Sequence, residues 1–410
     1  MHILFLTDNF PPEVNAPASR TFEHCREWVK VGHQVTVITG APNSPKGQVF
    51  EGYQNRLWQQ ETMAGIRVIR VWTYITANEG FAKRTLDYLS YMVTSFLACL
   101  FVRRVDVVVG TSPQFFTVCT AYAVSLFKRV PWVFELRDIW PESIRVVGAM
   151  KQSKVLDLLE KVELFLYRKA SAIVSVTHAF RTSLMRRGLD GDKIYVVTNG
   201  VDVSRFSPRE KDTELLQQYG LQGKFVAGYI GTHGLAHSLD TVLDAAKTLK
   251  SATDGDRFRF LLLGDGANKT ALRQRAQTEG LNNVIFVDSV SKDEVVRYWS
   301  ALDASIIHLK KNALFTTVIP SKLFECMGMA IPVLHGVQGE SAGIVELEDV
   351  GFLFEPENAD ALIEGMRCLS DNKSLYQRLK ANGPVAAQRY DRSNLASTLL
   401  RILENVATKK

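Results

Sequence analysis

Cysteine is scarce in this chain, and metal-ligand spacing is missing. The five cysteines, Cys25, Cys99, Cys119, Cys326 and Cys368, are scattered and odd in number. That excludes a disulfide framework and fits buried thiols in a reducing compartment. The histidines, among them His33, His178 and His335, fall at no metal-binding spacing. Gly-x-Ser-x-Gly, His-Glu-x-x-His and Walker A sequences are absent, which removes the motif basis for serine-hydrolase, zincin and P-loop chemistry. No RNA-module signature or basic repeat supports nucleic-acid binding. No apolar run reaches the ~20 residues that span a bilayer. Met1–Leu6 is too short, and too soon followed by Asp8, for a secretory signal, so a cytoplasmic location is expected.

What is present is a large soluble chain. Its 410 residues, with 46% hydrophobic and 22% charged, exceed one typical core, and two domains are expected. The net charge of +6 is uneven: residues 1–200 hold 24 Lys and Arg against 17 Asp and Glu, residues 201–410 hold 25 against 26. A basic first half can meet an anionic membrane or a phosphate-bearing substrate. Tyr91–Val102 is the longest apolar run, preceded by Lys83-Arg84 and followed by Arg103-Arg104. It reads as a buried core helix in preference to a segment lying against the inner face of a membrane.

Periodicity and turn signals predict strands at Ile3–Leu6, Gln34–Thr39, Ile66–Trp72, Val105–Val109, Trp132–Leu136, Ala172–Val176 and Ile194–Val197, with helices in most gaps. Thr7–Arg20 reads as a proline-bearing loop before a helix at Thr21–Val31. The second half repeats the logic, with strands at Phe225–Ile230, Phe258–Leu263, Val284–Val287 and Ala304–His308 and one beginning at Ile331. This alternation indicates α/β architecture with parallel sheets. Asn199-Gly200, after a strand and before a polar stretch, marks the linker. The domains are therefore placed at 1–198 plus 388–410, and at 199–387.

In such sheets ligands bind beyond the carboxyl ends of the strands. That makes Arg137, Asp138 and Glu142 site candidates, the alternative being a structural Arg–Asp pair. Gly231-Thr232-His233-Gly234 follows a strand, and its glycines let backbone amides approach an anion; His237 lies beside it. Pro320-Ser321-Lys322 opens a short helix in which Ser321 can accept from the first amides. Lys322 adds a full charge to the positive helix end, an arrangement suited to a diphosphate, and Glu325 can accept from a ribose diol. An ordinary solvent-facing Lys-x-x-Glu pair is the other reading. Gly264-x-Gly266 partly matches a dinucleotide fingerprint, with Asp288 downstream, but Lys269 occupies the third glycine's place, so a tight turn is preferred to NAD binding. Asp190-Gly-Asp192 and Asp254-Gly-Asp256 read as turns at the amino ends of strands, and no essential metal or cofactor is predicted.

With Gly231–Gly234, Gly264–Gly266 and Pro320–Val333 taken together, the chain resembles retaining glycosyltransferases of family 4. The Pro-Ser-Lys-Leu-Phe-Glu and Arg-Asp-Ile-Trp-Pro-Glu-Ser forms are similar to a bacterial fucosaminyltransferase-like subgroup tied to O-antigen and capsule assembly. The resemblance implies the GT-B fold: two Rossmann-like domains facing across a cleft, with a C-terminal helix crossing back to the first. It implies a UDP-sugar donor held by the second domain and a saccharide acceptor, in a lipid-linked form, held by the first. Lys322, Asp138 and Arg137 are the catalytic candidates it selects. Gly231, Thr232, His233, Gly234, His237, Gly264, Gly266, Val290, Ser291, Ser321 and Glu325 would bind the donor. Asn15, Arg20, Glu142 and Asn199 would face the acceptor. Thr317 stands where the family has the first glutamate of Glu-x7-Glu. Thr232 and His237 stand where it has arginine and lysine, Arg137 where it has histidine, and Asn15-Ala16 where it has two glycines, so the transferred sugar stays open. Three other functions fit parts of the pattern: a UDP-sugar epimerase on the same fold, an NAD-dependent oxidoreductase, and a non-catalytic nucleotide-sugar-binding subunit.

Overall fold

A computed structural model describes residues 1–44, 47–76, 81–139 and 154–408. The chain divides into two compact units, residues 1–198 with 392–410, and residues 199–391. The first is built on strands β1 (His2–Leu6), β2 (Gln34–Gly40), β3 (Trp58–Met63), β4 (Ile66–Val71), β5 (Val107–Thr111), β6 (Trp132–Leu136), β7 (Ala172–Ser175) and β8 (Ile194–Val196). They lie in the order β3-β4-β2-β1-β5-β6-β7-β8, parallel throughout except for the β3–β4 hairpin. Both residues of its two-residue turn, Ala64 and Gly65, have positive φ, the geometry that matches strand twist. The sequence reading missed β3 because Trp58–Met63 is an edge strand of mostly polar residues.

The second unit holds β9 (Phe225–Ile230), β10 (Phe258–Leu263), β11 (Val284–Val287), β12 (Ala304–His308), β13 (Val333–Gly336) and β14 (Gly351–Leu353). Their order is β11-β10-β9-β12-β13-β14, all parallel. Side chains alternate between two cores. Val226 and Leu261 join Trp299, Phe324 and Met327 on one face, while Ala227 and Phe260 join Leu243, Leu362 and Met366 on the other. Helices thus cover both faces, which is why these strands read as unbroken apolar runs. The strand expected from Ile331 begins only at Val333, since Pro332 has no amide to give the ladder.

Two helix starts differ from the sequence reading. The first helix begins at Ala16, not Thr21: Asn15 Oδ1 accepts from the Ala18 amide at 2.9 Å, and Pro17 sits in the opening turn. Ser321 has helical backbone angles and makes no capping hydrogen bond. Gly328 is the last residue of the helix Lys322–Gly328, without a left-handed backbone. A Cβ there would lie 2.5 Å from the Phe206 carbonyl oxygen, so glycine serves close approach, and the left-handed residue is Ala330.

The last helix, Arg392–Thr408, belongs to the first unit. The Trp28 indole N–H donates to the Ala396 carbonyl at 2.8 Å, and Arg392 pairs with Glu23 at 2.9 Å. Both sheets reverse their order beside their first strand. β1 lies between β2 and β5, and β9 between β10 and β12. Loops leaving neighbouring strands there diverge and leave room for a ligand at the carboxyl ends.

Candidate active site

In the second unit the loops after β9 and β10 are locked together. The Gly231 amide donates to Leu263 O at 2.9 Å and the His233 amide to Asp265 O at 2.8 Å. A Cβ on Gly264 would overlap the Gly231 carbonyl, and one on Gly266 would lie 2.6 Å from the His233 carbonyl oxygen. Gly231, Gly264 and Gly266 all have φ between 145 and 154°, a region that favours glycine. Two of the four amides expected to cradle an anion are thus spent on the loop pair. Thr232 and Gly234 keep amides with no backbone partner among the described residues. Tyr229 OH donates to the Thr232 carbonyl at 2.8 Å and holds the loop on its strand.

Lys322 opens the helix Lys322–Gly328. Its Nζ sits 3.5 Å from the centre of the Tyr229 ring, and a Cβ on Gly231 would come within 2.8 Å of it. The Nζ is buried and has no hydrogen-bond partner among the described residues. Burial drives its pKa down to about 7, with Cys326 and Glu325 opposing weakly. The helix itself supplies little. It has seven residues, and its Leu323 and Phe324 amides already donate to Pro320 O and Ser321 O at 3.0 and 3.1 Å. Once protonated, Lys322 brings a full charge against a dipole worth at most ~0.5 charge. Glu325 lies one turn on, half-buried.

The histidines are not charged partners for this site. His233 is fully buried, packed between Tyr229 and Phe286, and its two ring nitrogens have no hydrogen-bond partner among the described residues. Burial, then Lys269 and Lys322, push its pKa to about 4. His237 is brought to about 3 by burial and Lys322, and its carbonyl meets His308 Nδ1 at 2.8 Å. Val290 is half-buried against the core, and the exposed Ser291 accepts from the Glu294 amide at 3.2 Å.

Lys269, the residue standing where a dinucleotide fingerprint has glycine, turns inward. Its buried Nζ donates to Gly264 O at 2.6 Å, Val287 O at 3.3 Å and Asp288 Oδ1 at 2.5 Å. Asp288 is therefore engaged by a lysine, and the NAD pattern loses its third glycine to an internal brace. Both Asp-x-Asp pairs lie just before β8 and β10. Asp190 Oδ1 accepts from the Asp192 amide at 2.9 Å, Asp254 meets Arg367 through two bonds of 2.8 Å, and Asp256 pairs with Lys224. Among the described residues no group of three His, Cys, Asp or Glu is arranged to hold a metal.

In the first unit, Asn15 is a helix cap that also donates to Asn9 Oδ1 at 2.7 Å. Arg20 is 1% exposed; it bonds Glu135 at 3.0 Å, Thr198 O at 2.6 Å and Val197 O at 2.9 Å. Its charge ties the first helix to β6 and to the chain's exit from β8. Arg137 and Asp138 follow β6, and the Ser112 hydroxyl accepts from the Arg137 amide at 2.9 Å. Burial lowers Arg137 to about 9, against the opposing charge of Glu135. Glu142 lies outside the described residues, and Asn199 is the first residue of the second unit. Sequence reasoning passed over Asp8, which follows β1 at the reversal of strand order. Burial, then Asp87 and Glu13, raise its pKa to about 8. A carboxylate two residues beyond the first strand was the signal available.

Residues 15–200 match the family described as glycosyl transferase 4-like domain, and residues 211–385 the family described as glycosyl transferases group 1. The chain is a glycosyltransferase of the GT-B fold, related to the families of these two matches. It is 25% identical to WcaI of Escherichia coli, named for colanic acid biosynthesis and glycosyl transfer, over 90% of this chain and 91% of that protein. It is 22% identical to a GDP-mannose-dependent alpha-mannosyltransferase of Mycobacterium tuberculosis, over 86% of this chain and 83% of that protein. The crystal structure of Anabaena HepE in complex with UDP-glucose superposes with a TM-score of 0.74 at 18% identity, covering 99% of this chain and 100% of that one.

Proposed function

We propose that the protein transfers a sugar from a UDP-sugar to a saccharide acceptor carried on a lipid, with retention, in the assembly of a bacterial surface polysaccharide at the inner face of the cytoplasmic membrane. The observation that carries this reading is Lys322. Its buried Nζ has no partner among the described residues and lies at Gly231, where the strand order of the second sheet reverses. Such a group calls for an anion, and a diphosphate supplies one. The Thr232 and Gly234 amides add neutral donors, Glu325 accepts from the ribose, and the turn at Gly264–Gly266 with Val290 and Ser291 borders the base. The UDP-glucose complex of HepE and the polysaccharide name of WcaI support the donor and the pathway class.

The chemistry follows from these groups. The bond from the anomeric carbon to the diphosphate oxygen breaks, and negative charge collects on the departing UDP. Lys322 and the loop amides stabilise that charge, each well-placed donor being worth ~3 kcal/mol. The acceptor oxygen bonds the same face of the anomeric carbon, and its proton passes to a phosphate oxygen. Asp138 and Arg137 orient the acceptor from the first unit. A thermal-shift screen across UDP-, GDP- and dTDP-sugars, followed by NMR of the product formed on a polyprenyl-diphosphate sugar, tests the proposal. Stabilisation by UDP-sugars and a retained anomer are expected. A GDP-sugar preference would move the donor toward that of the mycobacterial relative, an inverted anomer would overturn the mechanism, and product without acceptor would indicate an epimerase.

A further inference from the structure

The apolar run before β5 does two jobs on two faces. In the helix Phe81–Leu100, Tyr91, Ser95, Ala98 and Cys99 are buried. The opposite face is apolar too, yet open: Leu86 is 50%, Val93 55%, Leu97 52% and Phe101, just past the helix, 71% exposed. Their spacing puts them along one stripe. Neighbouring elements widen it. The Trp58 ring meets Phe101 at 6.1 Å, and the 63% exposed Phe127 meets Phe96 at 6.4 Å. A core helix has no use for an outward stripe of this kind, and a contiguous apolar patch marks an interaction surface.

The charges around the stripe select its occupant. Lys83 and Arg84 stand at one end, Arg103 and Arg104 at the other, all exposed. The helix carries a single acid, Asp87. A second copy docking face to face would bring like-charged ends together. An anionic lipid surface answers both features, taking the stripe to the level of the headgroups and setting phosphates against Lys83, Arg103 and Arg104, with Trp58 at the boundary, while Arg84 is engaged by the Tyr88 hydroxyl and ring. The helix is too polar to cross: no helix among the described residues is long and apolar enough to span a membrane.

We infer that the stripe Leu86–Val93–Leu97–Phe101, with Trp58 and Phe127, is a surface that docks the first unit on an anionic bilayer. Binding is read without donor or acceptor, so it stands or falls apart from the sugar chemistry. The test is co-sedimentation of the full chain with vesicles of phosphatidylcholine containing one third phosphatidylglycerol, against phosphatidylcholine alone. Binding to the anionic vesicles, weakened by salt, is expected. The triple variant Val93→Ser, Leu97→Ser, Phe101→Ser should bind at least tenfold more weakly, and Arg103→Ala with Arg104→Ala about thirtyfold more weakly. The substituted side chains are exposed, so unchanged circular dichroism and unchanged UDP-sugar stabilisation are expected. Absence of wild-type binding to anionic vesicles, or equal binding by the triple variant, would overturn the inference. A wild-type dimer that the triple variant dissolves, without vesicle binding, would assign the face to a second copy and overturn it as well.

Discussion

If Lys322 is the group that meets a diphosphate, donor binding must take up protons. In the free protein burial holds its pKa at about 7, so at pH 7 about half the molecules carry the neutral amine. A bound diphosphate favours the ammonium and moves the pKa back toward that of an exposed lysine. UDP-glucose, whose diphosphate does not itself titrate near neutrality, should therefore bind with uptake of about half a proton at pH 7 and nearly a whole one at pH 8. Affinity should be highest below pH 7 and fall about tenfold per unit as pH rises above it. The neighbours do not blur the signal, because His233 and His237 titrate near 4 and 3 and burial pushes Cys326 to about 12. Calorimetry in buffers of different ionisation enthalpy measures the uptake. Lys322→Met should abolish it and lower turnover at saturating donor by ~10²–10³-fold. Proton uptake that survives the substitution, or wild-type binding with none, would refute the assignment. For the ligand-free fold the sign is opposite. Between pH 7 and 10.5 the unfolded lysine holds the proton that the folded one has lost, so stability rises with pH in that window.

Gly264→Ala should destabilise by ~1–3 kcal/mol in denaturant unfolding and abolish UDP-sugar stabilisation, since the methyl overlaps the Gly231 carbonyl. Gly343→Ala, on the exposed side of a helix with nothing within 4 Å of the new Cβ, should instead stabilise by ~1 kcal/mol. Glu135→Gln removes one member of a pair whose side chains are 1% exposed and 3.0 Å apart, and should cost ~3–5 kcal/mol in the same assay by leaving Arg20 charged and uncompensated. Thr232→Arg places a non-titrating cation on the exposed loop. It should tighten UDP-glucose binding about tenfold while leaving the fall above pH 7, which Lys322 sets, in place, and an unchanged affinity would count against Thr232 facing the diphosphate. Sugar transfer should persist in EDTA with undiminished rate; loss on chelation and rescue by a divalent ion would show that metal shares the load assigned to Lys322.

Much of the fold was legible because parallel strands buried on both faces are unmistakable runs: β9, β10, β11 and β12 begin and end where periodicity placed them. The errors have local causes. Asn15-Ala16-Pro17 opens a helix, although a proline at that place also reads as loop. β3 was lost because an edge strand needs little hydrophobicity once its hairpin turn fixes the pairing. Ser321 failed as a cap because the Pro320 carbonyl closes a tighter turn and satisfies the Leu323 amide first. The expectation of a wholly buried Tyr91–Val102 helix was half right. The apolar count along the chain could not show that Val93 and Leu97 share the open face while Tyr91 and Ala98 share the closed one.

The site divides along the same line. Residue types suited to an anion, Gly231, Gly264, Gly266 and Lys322, could be read from motifs because backbone freedom and formal charge are properties of the residue. What each group has left to offer a ligand is a property of its neighbours. The Gly231 and His233 amides are consumed by the loop after β10, Lys269 spends its charge on Gly264 and Asp288, and Arg20 spends its own on Glu135 and two carbonyls. Lys322 is the opposite case. Tyr229, on β9, and Gly231, just after it, take its ammonium out of water; the Tyr229 ring faces it, and among the described residues no hydrogen-bond acceptor meets it. The unspent interaction of that one cation, more than a short helix's dipole, is what the folded unit holds ready for a departing nucleotide.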